Sequence, residues 1–341
     1  QYIEMKYLIF VVIAAVVGSV SLEEKSAPIS QDDKVWDVLE QLGDDASKIK
    51  PDLTIPNVSA ETGYNLVTQG FSDVPGQPKS RRQSKHFVCT SCHNIEREDP
   101  DLTVIDPQAR LDYVTQRGLP YLQASPLYGA VNREYFYNGD YVKKYGDLVK
   151  PANEDIREAV QLCALECAQG RKLKDWELES IIAYLWEIQL KMSDLGLTEG
   201  ELNYISDAIE DTLSWTNANV ILRTKYVSYS PATFLVPPED RKIGTGLNGD
   251  PNNGQKIYEN SCLHCHYNKR YSFLQLDNND MSFNHLKKKM GTYDRHSIYQ
   301  VIRYGTYSKH WKKSYMPLYT KEKMSDQMLA DLRSYIEKRA G

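Results

Sequence analysis

The sequence predicts a mostly α-helical fold made of two similar units. Apolar residues recur at helical spacing over 176–192 and 326–339, and each of these helices closes a region that contains a close pair of cysteines. The length of 341 residues fits two domains at roughly 150 residues each. Both regions follow the order helix, cysteine loop, long loops and terminal helix, which indicates an internal duplication.

The other elements follow from local composition. A first helix is expected around 35–42, after a polar and acidic stretch. Pro, Gly and Ser cluster at 72–84, which predicts a loop that leads into the first cysteine pair. A further helix is expected over 202–213, and a polar, Tyr-rich connection follows it. The glycine-rich segment 246–254 then interrupts the chain before the second unit.

The overall composition excludes several classes of protein. The net charge of −5 and the isoelectric point of 5.9 argue against nucleic acid as a partner, because a nucleic-acid binder would carry a basic face. A hydrophobic content of 41% and a charged content of 26% are typical of globular proteins. They do not fit a disordered chain or a protein with many membrane spans.

The N-terminal region contains an apolar run at 7–20 that follows Lys6. A membrane-spanning helix needs ~20 apolar residues, so this run is short for a span. A basic residue, a short apolar core and small residues such as Gly18 and Ser19 are typical of a secretory signal. We therefore expect residues 1–25 to be a signal peptide or an N-terminal membrane anchor. Export to the periplasm or to the outer face of the membrane follows from either interpretation.

The motif Cys-x-x-Cys-His, which attaches c-type haem, occurs twice. Its members are Cys89, Cys92 and His93 in the first unit and Cys262, Cys265 and His266 in the second. At this spacing two thiols meet the vinyl groups of one haem, and the adjacent histidine ligates the iron. A zinc ribbon is disfavoured because both pairs carry the histidine. The sequence thus predicts two covalently bound c-type haems, haem 1 and haem 2.

The second unit offers a clear sixth ligand for its iron. Met316 lies in a Tyr-Met-Pro segment just before the closing helix, and a thioether is a neutral ligand that raises the reduction potential. The other methionines of this unit are expected to be packing residues: Met281, Met290, Met324 and Met328. We predict His266 and Met316 as the axial ligands of haem 2.

The first unit has no methionine and no histidine between His93 and Met192. Cys163 and Cys167 fall in this interval, and a thiolate is an anionic ligand that stabilises ferric iron. Other interpretations stay open at this point. The two cysteines could form a disulfide or be small buried hydrophobes, and the iron could be five-coordinate or bound by a lysine or by His86.

Residues 250–341 resemble the class I cytochrome c family. The segment Gly254 to Tyr258, the second Cys-x-x-Cys-His motif and the sequence around Met316 carry this resemblance. It implies a fold of two cytochrome c-like helical domains, each wrapped around one covalently attached haem. We expect the first such domain, with extensions, at 26–225, a linker at 226–250 and the second at 251–341.

The pattern as a whole is similar to the thiosulfate dehydrogenase family, over about 80–190 and 250–341. In that family the distal cysteine follows an arginine by six residues, as Cys163 follows Arg157 here. The resemblance selects Cys163 as the sixth ligand of haem 1, with Cys167 at a position that the family fills with a small polar residue. It departs from the family at 166–170, where the usual Ser-Met-Asn-Gly is absent.

This resemblance implies oxidation of thiosulfate to tetrathionate at a His/Cys-ligated haem 1, with electrons passed to haem 2. Cys163 and Arg157 would then be the catalytic residues, and the substrate would be a small sulfur oxyanion. Arg171 and Lys172 are further cations that could face such an anion. The alternative is a non-catalytic electron-transfer subunit of a membrane respiratory complex. In both cases a redox partner is expected, namely a soluble cytochrome, an oxidase or a quinol-oxidising complex. A dihaem peroxidase ranks last, because the first unit lacks a distal histidine.

Overall fold

The computed structural model describes residues 29–73, 79–306 and 314–341, and over these residues the predicted mostly α-helical class is confirmed. The helices of the first part of the chain are α1 (Val35–Gln41), α2 (Ala60–Gln69), α3 (Pro107–Gln116), α4 (Tyr141–Tyr145), α5 (Val149–Ala152), α6 (Ile156–Leu162), α7 (Asp175–Glu187), α8 (Glu199–Glu210) and α9 (Trp215–Arg223). Those of the second part are α10 (Pro251–Ile257), α11 (Leu263–His266), α12 (Asp280–Met290), α13 (Ile298–Tyr304) and α14 (Asp326–Arg339). The β structure of the described residues is a single bridge between Lys34 and Lys191.

The N-terminal segment 1–25, predicted as a signal or an anchor, lies outside the described residues. Among the helices that the structure describes, none combines the length and the apolar character needed to cross a bilayer.

Each unit is organised around one crossing of two helices, α2 with α7 and α10 with α14. Both crossings place a glycine against the backbone of the partner helix. A Cβ atom on Gly63 would lie 1.9 Å from the carbonyl oxygen of Ser180, and one on Gly254 would lie 2.0 Å from that of Asp331. In both cases the added Cβ would also lie 2.8 Å from a tyrosine Cβ one turn further along the partner helix. The repeated contact supports the internal duplication that the sequence indicated.

Substituting either glycine by alanine is expected to destabilise the protein by about 1–3 kcal/mol, because the new methyl group would force the two helices apart. Gly200 is the matched control. It lies in α8 with open space around it, so Gly200→Ala should be neutral or stabilising by up to about 1 kcal/mol. Thermal unfolding followed by circular dichroism checks this prediction. Equal melting temperatures for Gly63→Ala, Gly254→Ala and Gly200→Ala would contradict it.

Two hydrophobic cores correspond to the two units, but one helix from the first unit packs in the core of the second. The first core is formed mainly by α1, α2, α7, α8 and α9, and the second by α10, α12, α13 and α14. Helix α3 precedes most of the first unit in the chain, yet its Leu111 and Val114, together with Tyr121, are buried in the second core. The predicted boundary at residue 225 therefore divides the sequence into two parts, but residues from before this boundary pack in the core of the second unit.

The helix predicted over 176–192 is shorter than expected and ends at Glu187. The residues beyond it leave the helix to pair with the start of α1. The carbonyl oxygen of Leu190 accepts a hydrogen bond of 2.8 Å from the Val35 backbone, and the Gln189 side chain accepts one of 2.9 Å from Trp36. These tertiary hydrogen bonds replace the ones that a longer helix would have made. The closing helix of the second unit, predicted over 326–339, has the predicted bounds.

Candidate functional site

The first Cys-x-x-Cys-His motif forms a tight turn at the edge of a large cavity. Backbone N–H groups of Cys92 and His93 both donate to the carbonyl oxygen of Cys89 at 3.1 Å, so the two thiols and the imidazole project from one turn. All three residues line a cavity of about 1650 Å³, a volume that includes its open mouth. Most of the exposed lining is apolar, which suits a flat aromatic cofactor.

The His93 imidazole is oriented for metal binding. Its Nδ1 lies 2.6 Å from the carbonyl oxygen of Ser125, which fixes that nitrogen as the protonated one and leaves Nε2 as the ligand atom. Burial lowers the pKa of His93 to about 4, so the ring is neutral at physiological pH. A neutral imidazole held by a backbone carbonyl is the form in which histidine binds iron.

The third cysteine pair lines the same cavity. Cys163 and Cys167 belong to one turn of π-helix, 163–167, that continues α6. Such π turns within α-helices are frequent at functional sites. The structure thus brings Cys163, which the sequence predicts as an iron ligand, to the cavity that holds His93. Cys167, which the sequence leaves without a role, lies there as well.

The two sulfurs have different surroundings. The hydroxyl oxygens of Tyr137 and Tyr145 lie 3.7 and 3.3 Å from the Sγ atom of Cys167. Hydrogen bonding between the two cysteines lowers the pKa of Cys167 to about 6 and raises that of Cys163, and burial raises the Cys163 pKa further. Sequence reasoning missed both tyrosines, although their spacing of eight residues around the short helix α4 was visible.

A lysine and His86 are the alternative iron ligands that the sequence allows for the first unit, and they differ in position. Lys144 lines the cavity, whereas His86 is not among the residues that line it. The Lys144 ammonium lies 5.2 Å from the ring centre of Tyr145 and 5.6 Å from that of Tyr315. A cation therefore stands at the cysteine side of the cavity.

Arg157 does not face the cavity. Its guanidinium forms an ion pair with Glu179, with Nε 2.6 Å from the carboxylate, and donates to the carbonyl oxygens of Lys48 and Lys50, each at 2.6 Å. Arg171 is bound in a similar way by Glu177. Both guanidinium groups are therefore bound to carboxylates of α7. Their geometry is that of groups that tie loops to α7.

The second Cys-x-x-Cys-His motif lies on helical turns, whereas the first lies in a short 3-10 turn, Cys89–Ser91. A π turn over Tyr258–Cys262 leads into α11, which carries Cys265 and His266. The Nδ1 atom of His266 lies 2.9 Å from the carbonyl oxygen of Leu274, and burial lowers the pKa of His266. The second imidazole is thus oriented and kept neutral in the same way as His93.

Met316 is held in place by backbone pairing. Its N–H donates to the Thr306 hydroxyl at 2.7 Å, and the Thr306 N–H donates to the Met316 carbonyl oxygen at 2.8 Å. The chain is fixed again where α14 begins, because Arg303 donates to the carbonyl oxygen of Met324 and to the Asp326 carboxylate, each at 2.6 Å. Met316 itself is partly buried against the second core.

The other methionines of the second unit are either buried in its core or exposed at its surface. Met290, Met324 and Met328 fill the second core and are at most 4% exposed, whereas Met281 is 81% exposed at the surface of α12. The exposure of Met316 lies between these extremes, which fits a side chain that completes a cofactor site. Its assignment as an iron ligand stays a prediction.

The segment that carries Met316 also contacts the first unit's cavity. Its neighbours Tyr315 and Pro317 both line the cavity of Cys89 and His93, and so does the following Leu318. The Tyr315 ring packs edge-on against Phe87, with ring centres 5.8 Å apart. One short segment is therefore part of both candidate haem sites.

The comparisons with known proteins concern the second unit. Residues 249–336 match the family model for cytochrome c oxidase, cbb3-type, subunit III. No curated protein and no solved structure matches the chain. The matched region contains the second Cys-x-x-Cys-His motif and Met316. Residues 249–336 therefore form a cytochrome c domain, which carries at least one c-type haem at Cys262 and Cys265.

Proposed function

We propose that the chain is a dihaem electron-transfer protein whose first unit binds a second c-type haem. The observation that carries the proposal is the composition of the first cavity, where two thiols at attachment spacing, an oriented imidazole and a cysteine pair meet. The segment next to Met316 closes the same cavity. Similarity to a subunit of a respiratory oxidase supports a partner within a respiratory chain.

In this proposal each group of residues has a distinct task. Cys89 and Cys92 attach haem 1 and His93 ligates it, while Cys163 or Cys167 supplies sulfur as the second axial ligand. When bound, the two haems supply one-electron redox chemistry, with a lower potential expected for thiolate ligation than for thioether ligation. The apolar walls would limit the access of water to a haem held there. Function outside the cytoplasm is part of the proposal, since cytochrome c domains typically work there.

A second candidate function is the oxidation of a sulfur oxyanion, namely coupling of two thiosulfates to tetrathionate with release of two electrons. The observation that favours it is Lys144, a cation on the cysteine side of the cavity. Because Arg157 is bound to Glu179, we propose that it stabilises the fold and that Lys144 is the group that would face an anion.

Counting haems in the intact protein tests the dihaem proposal. The full chain, produced with a c-type haem attachment system, is expected to carry two covalent haems by intact mass and by pyridine haemochrome absorbance. The double variant Cys89→Ala/Cys92→Ala should retain one, and so should Cys262→Ala/Cys265→Ala. A single haem in the wild-type protein, and still a single haem in the Cys89→Ala/Cys92→Ala variant, would overturn the proposal.

A further inference from the structure

The first cavity has a cationic end that neither motif explains. Arg133 follows the short turn Ala130–Asn132 of the first unit, and Lys323 lies just before α14 in the second. Both side chains line the large cavity, and both also line a smaller adjacent cavity. They stand where the two cavities meet, with contributions from both units of the chain.

Neither cation has a carboxylate partner among the described residues. Arg133 donates to the carbonyl oxygen of Pro126 at 2.9 Å, and no described carboxylate lies within 4.0 Å of either charged group. The nearby Glu98 is bound to Arg110, with its Oε2 2.7 Å from the arginine Nε. The charge of Asp99 raises the pKa of both cations, but its carboxylate lies beyond ion-pair distance from either one.

Both side chains are partly buried, and an unpaired cation withdrawn from water is unfavourable unless a ligand supplies the missing charge. Burial lowers the pKa of Lys323 to about 7 and lowers that of Arg133. Two cations without a carboxylate partner among the described residues thus line the same cavity as the predicted iron ligand of the first unit.

We propose that Arg133 and Lys323 bind the two carboxylate groups of haem 1. This inference rests on the proposed function, in which the first unit holds a haem. A c-type haem is an apolar ring with two carboxylates on one edge, and the cavity is an apolar space with two cations at one end. The third lining cation, Lys144, lies on the cysteine side over the rings of Tyr145 and Tyr315.

The inference makes the second unit a part of the first haem site. Lys323 belongs to the cytochrome c domain at 249–336, yet its side chain lines the cavity of His93. Arg133 alone would leave one carboxylate without a cation. The site of haem 1 is therefore complete only when both units are docked.

Redox titration of the full-length dihaem protein tests this assignment. In Lys323→Gln, the uncompensated carboxylate should favour ferric haem 1, and the ratio of reduced to oxidised haem 1 at a fixed ambient potential should fall roughly tenfold. The ratio for haem 2 should stay within twofold of wild type. Lys323→Arg keeps the charge and should keep the ratio, and so should Lys321→Gln, which removes an exposed charge from the same segment.

The outcomes separate this inference from the proposed function. Two attached haems with an unchanged haem 1 ratio in both Lys323→Gln and Arg133→Gln would overturn the carboxylate assignment. A wild-type protein with a single haem would instead overturn the proposed function. If Lys323→Gln does not accumulate as a dihaem protein, Arg133→Gln provides the same test from the first unit, with the same expected fall.

Discussion

Replacing Cys163 by serine is expected to change the absorption spectrum of haem 1 and to leave that of haem 2 unchanged. A thiolate stabilises ferric iron more strongly than a hydroxyl does. At a fixed ambient potential, the ratio of reduced to oxidised haem 1 should therefore rise roughly tenfold or more. Low-temperature electron paramagnetic resonance of the ferric protein, which detects thiolate ligation, is the measurement that checks this prediction.

The matched variant is Cys167→Ser, because both cysteines line the cavity within one turn of π-helix. If Cys163 is the ligand, Cys167→Ser should keep the thiolate signature and shift the potential less. A lost signature in Cys167→Ser together with a retained one in Cys163→Ser would reverse the assignment. That reversal would also give Tyr137 and Tyr145 the task of donating hydrogen bonds to the ligand sulfur.

The Cys163 variant also distinguishes the two candidate functions. Thiosulfate-dependent reduction of ferricyanide by the wild-type protein, lost in Cys163→Ala, would support sulfur oxyanion chemistry at the first cavity. No activity in the wild type would exclude thiosulfate as a substrate and would leave electron transfer as the function. In that case the cysteine pair would serve to set the potential of haem 1.

Replacing Met316 by histidine is expected to lower the potential of haem 2 by a sizeable part of the range of about 0.8 V that axial ligands cover. A thioether stabilises ferrous iron relative to an imidazole, so its loss favours the ferric state. The expected measurement is a potentiometric titration in which haem 1 serves as the internal reference. An unchanged haem 2 potential would show that another group ligates the iron.

Met290→Leu is the matched control for this prediction. Met290 is another methionine of the second unit, and its side chain is buried in the second core. An aliphatic residue of similar volume should keep the core packed and the potential of haem 2 unchanged. A large fall in potential in this variant, without one in Met316→His, would transfer the ligand role to Met290.

The chemistry of the sites was visible in the sequence because it is local. Attachment of a haem needs two thiols and a histidine within five residues, and the Met316 segment has its own short signature. The closing helix α14 was also predictable, since its apolar face repeats over 14 residues. Each of these features depends on residues that are close in the chain.

The features that could not be predicted depend on contacts between distant residues. Gly63 occupies the same place in its crossing as Gly254, but a longer connection separates it from its cysteine pair and hides the correspondence. Arg157 matched a family pattern, yet it binds Glu179 of α7 instead of facing the cavity. The cationic end combines Arg133 and Lys323 from different units, and no short motif records such a pairing.

Tyr315 and Pro317 line the first cavity, while Met316 between them is the predicted ligand of the second site, and this has a consequence for how the protein can evolve. In an ordinary tandem repeat, each copy can acquire substitutions without regard to the other. Here an insertion next to Met316, or a new side chain in place of Tyr315, would reshape the wall of the first cavity at the same time. The two units would therefore not vary independently, and natural variants of this segment should be accompanied by compensating changes around Phe87.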